Sequence, residues 1–194
     1  MPLIAINVLL EPDAATVEKA KAINARLREN YPASFPLDAN HTPHITILQL
    51  FINTVDLGLV AAAIGNVLRS EPPINIEGKA TGYFELASEN LKLVGFHIEA
   101  TPYQQQLQQK IIAATAPFAV KYGTSDAFAP RLDGEPISQA TIDYVTNFGD
   151  MRTGPNYQPH LTLGIGTRDF VEALVAEPFE TFSFQTASIS LYQI

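Results

Sequence analysis

The chain contains no cysteine and no tryptophan, only two methionines and only four histidines among 194 residues. Without cysteine there are no disulfides, no thiolate metal sites and no cysteine nucleophile. Basic residues are scarce: 12 Lys and Arg stand against 20 Asp and Glu, a formal net charge of -8. A large footprint on duplex nucleic acid needs a basic face, so the balance argues against that partner, while leaving room for a small phosphate ligand in a local pocket. Long apolar runs are also missing. The longest after the first strand, Leu57–Leu68, is too short to span a bilayer, and its Val60, Ala63, Ile64, Val67 and Leu68 fit one helical face. The opening Met1–Leu10 is apolar but has no Lys or Arg ahead of it, and Glu11-Pro12 follows where a signal peptide needs small residues. A first strand, a cytoplasmic location and no membrane role are therefore expected.

What is present is a globular composition, 46% hydrophobic and 16% charged, enough chain for a sizeable core in one or at most two domains. Ile4–Leu10 reads as a buried strand, with Pro12 opening a helix that runs to Asn30 on Val17, Ala20, Ile23 and Leu27. His44–Phe51 is a second strand, Leu57–Arg69 a helix stopped by Pro72-Pro73, and Ile74–Leu86 at least one further strand. The order then repeats. Leu91–Ala100 is a strand, Thr101-Pro102 a cap with a first-turn proline, and Tyr103, Leu107, Ile111 and Phe118 line a helix. His160–Gly166 is again a strand, Arg168–Glu177 a short helix, and Glu180–Ile194 closes the chain with strand. Both halves read β-α-β-α-β, an α+β domain over residues 1–194 with pseudo-duplicated repeats at 1–88 and 89–194. The second half alone carries an insertion, 119–158, in which Ile137, Tyr144, Val145 and Phe148 suggest a helix stopped by Gly149. A connection of that length is either a lid or binding loop, or a surface excursion packing on itself.

The repeat contains its own chemistry. Pro43-His44-Ile45-Thr46-Ile47 and Pro159-His160-Leu161-Thr162-Leu163 share one pattern, and they hold half of all the histidines. On a strand, His44 and Thr46 point one way and Ile45 and Ile47 the other; His160 and Thr162 oppose Leu161 and Leu163 in the same manner. A single His-x-Thr in a strand is usually only a strand. Two copies, each after proline and each in the matching strand of its half, can face one another across a groove. One neutral and one protonated imidazole then suit phosphodiester cleavage without metal, the first taking a proton from the attacking oxygen and the second giving one to the leaving oxygen. The threonine hydroxyls can hydrogen-bond the non-bridging phosphate oxygens.

With these motifs the chain resembles the 2H phosphoesterase superfamily, which includes RNA 2',3'-cyclic phosphodiesterases and 2'-5' RNA ligase-like proteins. The resemblance implies a bilobal fold of two antiparallel-rich sheets around a central cleft, with helices outside. It also implies metal-free and cofactor-free hydrolysis of a cyclic phosphate or a 2'-5' linkage, with His44, Thr46, His160 and Thr162 as the catalytic set. The acidic balance departs from what a long RNA substrate would require, so a small cyclic nucleotide or an RNA terminus is the expected partner of a monomeric enzyme.

Other residues are candidates for the substrate. Asn7 is the only polar residue between Leu3 and Leu10, and His97 falls opposite it in the proposed repeat; they line the cleft floor or are simply buried, satisfied polar groups. Tyr157, Arg131 and Arg152 are candidates for a base platform and phosphate contacts. Gly164 and Gly166 are placed on the His160 face, where small residues would admit substrate, and Gln104–Gln109 reads as a solvated helix face. His41 and His44 lie three apart on extended chain and face opposite ways, so no metal pair is expected there. The competing readings are hydrolysis of 2',3'-cyclic phosphates to 2'-phosphates, 2'-5' RNA ligation or cleavage, and a non-catalytic nucleotide-binding module.

Overall fold

A computed structural model of the chain describes residues 1–70, 76–88, 90–130 and 134–194. The expected helix stop at Pro72-Pro73 and the candidate Arg131 lie outside the described residues. Within them, caps fix most boundaries. Strand β1 (Leu3–Pro12) ends on Pro12, which therefore does not open the helix; Asp13 caps α1 (Ala14–Asn30) instead. The Asp13 carboxylate accepts from the Thr16 N–H at 2.9 Å and from the Gln185 N–H at 2.9 Å, so one side chain closes a helix and pins the last strand. Strand β2 (Ile45–Asn53), helix α2 (Leu57–Ser70) and strands β3 (Glu77–Ser88) and β4 (Leu91–Ile98) follow. Thr101 and Gln104 form a reciprocal capping box at the start of α3 (Pro102–Thr115), with Pro102 in its first turn. Strand β5 (Ala119–Val120) and helix α4 (Gln139–Met151) come next, and Gly149 sits inside α4 rather than ending it. Strand β6 (His160–Thr167), helix α5 (Arg168–Ala176) and strand β7 (Phe182–Gln193) complete the order.

The seven strands of the described residues join in one antiparallel sheet, not two, in the order β1-β7-β3-β4-β6-β2-β5, and β1 also pairs with β2. Six strands thus form a ring, with β5 attached to the outer edge of β2. Two triples are knit by long ladders, β7-β1-β2 and β3-β4-β6. They are sewn together by two short seams: Glu77–Ala80 against Phe182–Gln185, and a single pair, Ile45 against Leu161. These seams turn the two expected sheets into one. The last strand of each sequence half, β3 and β7, pairs across the 88/89 boundary, β3 with β4 and β7 with β1.

One face of this sheet is packed by helices. Ile6, Val8 and Leu10 of β1, Ile45 and Ile47 of β2, and Leu161 and Leu163 of β6 share a core with Ala20, Leu27, Val60, Leu107, Ile111 and Val171. The opposite face carries the alternate residues Ala5, Asn7, Leu9 and Glu11 of β1. The insertion packs there: Ala127, Phe128, Ile142 and Val145 form a second core with Ala5 and Phe51. These residues of the insertion are therefore packed on the sheet, each large buried side chain contributing about 1.5–3 kcal/mol. No described helix is long and apolar enough to cross a membrane.

Candidate active site

The alternation expected of the two motifs is present. Ile45 and Leu161 are buried at 1% and 0% exposure, whereas His44, Thr46, His160 and Thr162 are half-buried on the other face. The two strands meet start to start, antiparallel, at the Ile45–Leu161 pair, and diverge from there, β2 to β1 and β5, β6 to β4. One paired position therefore brings both imidazoles to the same seam.

Both rings are oriented by the same device. His44 Nδ1 lies 2.7 Å from the Thr42 carbonyl and His160 Nδ1 lies 3.0 Å from the Gln158 carbonyl, each two residues back. A carbonyl only accepts, so Nδ1 carries the proton and Nε2 is the acceptor nitrogen of each neutral ring. Asn7 stands under the first motif, its Nδ2 3.4 Å from His44 Nε2 and 3.4 Å from Thr46 Oγ1. The residue is buried, and its Oδ1 has no hydrogen-bond partner among the described residues.

The electrostatic surroundings of the two rings differ. Burial lowers the proton affinity of His44, opposed by the bond to Thr42 and by the nearby Glu11 carboxylate. Burial also lowers that of His160, where the bond to Gln158 opposes it and the charges of Arg152, His44 and His97 add to it. Glu11 itself is held ionised, chiefly by Ser188, whose hydroxyl donates at 2.5 Å, and also by Tyr192 OH at 2.9 Å. Ser188, Ser190 and Tyr192 of β7 stand opposite Glu11, Leu9 and Asn7, so a polar row flanks the His44 side of the face.

The remaining candidates separate. His97 pairs directly with His160 across β4 and β6 and is exposed, with Thr81 Oγ1 2.9 Å from its Nδ1. Arg152, just past α4, lies over the Tyr144 ring at 5.5 Å and still acts on His160. Tyr157 is only 6% exposed, and burial pushes its phenol well up; it presents no open ring to a base. Phe84 is the ring beside the second motif instead: it stacks on His160 at 4.4 Å and 24°. Sequence reasoning missed Phe84, because neighbouring Tyr83 and Phe84 carry no sign of which one faces the motif. Gly164 and Gly166 are also displaced. Leu163 is left unpaired in the β4–β6 ladder, which turns the strand over, so a Cβ on either glycine would meet Leu27 of α1, not substrate. Gln104 and Gln108 are buried, not solvated. His41 is exposed and stacks on Phe35 at 5.3 Å.

With this geometry in view, the sequence matches the family model described as the 2'-5' RNA ligase superfamily over residues 11–194. The chain belongs to this superfamily. The match contains both His-x-Thr strands, and membership places the chain in the 2H class of phosphoesterase- and ligase-type enzymes. No curated protein matches the chain. Among solved structures it is similar to Usb1 of Kluyveromyces marxianus, at 8% identity and a TM-score of 0.49, covering 98% of each chain. The same protein with uridine monophosphate matches at 8% identity and 0.46, covering 97% of this chain and 98% of that one.

Proposed function

We propose that the protein is a metal-independent phosphodiesterase that opens the 2',3'-cyclic phosphate of a nucleotide or RNA end. The observation that carries this reading is the meeting of the two motif strands at Ile45–Leu161, with each His Nδ1 tied to a carbonyl and His44 Nε2 contacted only at 3.4 Å, by Asn7 Nδ2. Glu11 beside His44 favours its imidazolium; Arg152 and His97 around His160 favour its neutral form. His160 therefore takes the proton of the attacking water as that oxygen bonds phosphorus. His44 gives its proton to the ribose oxygen as the P–O bond breaks, leaving a 2'-phosphate and a free 3'-hydroxyl. Thr46 and Thr162 hold the non-bridging oxygens, where negative charge gathers. Asn7 offers its Oδ1 to a substrate hydroxyl, and Phe84 supplies an apolar ring beside the reacting centre.

The experiment is a screen of the four 2',3'-cyclic nucleotides, with the product's phosphate position assigned by phosphorus NMR. The wild type should turn over at least one of them in the presence of EDTA, and His44→Ala and His160→Ala should each lose about 10³-fold or more while staying folded. Full activity in the double variant would sink the catalytic assignment. The superfamily's description favours a second reading, joining or cutting of 2'-5' linkages by the same groups with roles exchanged. Activity confined to RNA ends with such linkages would decide for it.

A further inference from the structure

Both motif strands carry a bulge at the same distance from the histidine. The β1–β2 ladder skips Ile47 and the β4–β6 ladder skips Leu163, each the third residue after its motif His. A bulged residue leaves the ladder and its backbone needs another partner. In both cases a buried side-chain amide supplies one. Gln108 of α3, fully buried, donates from Nε2 to the Ile47 carbonyl at 2.9 Å. Asn24 of α1, 4% exposed, donates from Nδ2 to the Leu163 carbonyl at 2.8 Å.

The other bonds of the two amides correspond as well. Gln108 donates to the Arg152 carbonyl at 3.2 Å and accepts from the Gly154 N–H at 3.2 Å. Asn24 donates to the Phe35 carbonyl at 3.0 Å and accepts from the Leu37 N–H at 3.1 Å. Residues 152–154 lead into the second motif and residues 35–37 into the first. Each amide thus ties the bulge of one motif strand to the approach segment of the other. The strands themselves share only the Ile45–Leu161 pair, too little to fix how one imidazole sits relative to its partner.

We infer that Asn24 and Gln108 are positioning residues, a crossed pair of brackets that sets the two imidazoles in register across the seam. The inference rests on the reading of His44 and His160 as a catalytic pair. A shift of one residue in either strand would turn its His-x-Thr face away, and a misplacement of about 1 Å already costs on the order of 10²-fold in rate.

Gln108→Met and Asn24→Leu keep the volume and remove the donors. In folded variants, kcat on a 2',3'-cyclic nucleotide should fall by about 10- to 100-fold with KM within about twofold. The double variant should be little worse than the weaker single, because both amides hold one geometry. In NMR titrations, the ring signals of both His44 and His160 should move in each single variant. Should these variants fail to fold, Gln108→Asn and Asn24→Ser shorten the donors while keeping a polar group in the buried site, and the same expectations apply. Folded variants with unchanged kcat and unmoved ring titrations overturn the inference, as does a double variant whose loss is the product of the singles. A wild type inactive on every cyclic nucleotide overturns the functional reading instead; the ring titrations then decide the positioning role alone.

Discussion

Glu11 is the residue that breaks the likeness between the two motifs. It lies on the same β1 face as Asn7, its carboxylate held by Ser188 and Tyr192, and it acts on His44, whereas the leading charges on His160 are Arg152, His44 and His97. Both imidazoles are pushed below the ordinary value of about 6.5, chiefly by burial. The pH profile of kcat/KM should therefore be a bell centred on the acid side of neutrality, its basic limb set by the acid His44 and its acidic limb by the base His160. Glu11→Gln removes the charge that favours the His44 imidazolium, so the basic limb should move to lower pH while the acidic limb stays. Kinetics across pH 4.5–8.5 would check this, and movement of the acidic limb alone would exchange the two roles. At this scale the candidate residues His44, Thr46, His160 and Thr162 were legible because a repeated pattern survives without tertiary information. Glu11 and Phe84 were not, because their roles come from cross-strand neighbours that no local spacing announces.

At the scale of elements, alternation predicted the burial of Ile45, Ile47, Leu161 and Leu163 correctly, and helix patterning found α1 through α5 to within a few residues. What alternation could not see was the pair of bulges. Period-2 reasoning carried through Leu163 puts Gly164 beside substrate, whereas the extra residue turns it toward Asn24 and Ser34. Gly164 also has φ 153°, and a Cβ there would lie 3.0 Å from Asn24 Nδ2 and from Ser34 Oγ. Gly164→Ala should consequently destabilise the fold by about 1–3 kcal/mol, and lower turnover by disturbing the Asn24 bracket. Gly149 is the contrasting case. It sits within α4 with open space where a Cβ would go, so Gly149→Ala should stabilise by about 0.5–1 kcal/mol. Thermal melts of the two variants should shift in opposite directions.

For the whole molecule, charge and proton balance set the conditions of use. A net charge of -8 leaves few cations for a nucleic-acid backbone, so kcat/KM on a cyclic-phosphate RNA end should change little between about 50 and 200 mM salt, unlike a protein making many phosphate contacts. Stability follows the same titrating groups as activity. In the fold burial lowers the proton affinity of His44 and His160, whereas in the unfolded chain both return to about 6.5. Between the folded and unfolded values the unfolded chain binds more protons, so the stability tied to these rings is complete above about pH 6.5 and is lost as pH falls toward and through the folded values. Glu11 and Asp13, both lowered in the fold, chiefly by bonds from Ser188 and Gln185, continue the loss in the carboxylate range. The melting temperature should be flat from pH 8 to 7 and fall from about 6.5 downward. In the His44→Ala, His160→Ala double variant the first part of that fall should vanish, leaving only the carboxylate part. An identical profile in wild type and double variant would mean that the fold does not lower the rings' proton affinity, and the acid-side optimum for catalysis would lose its physical basis with it.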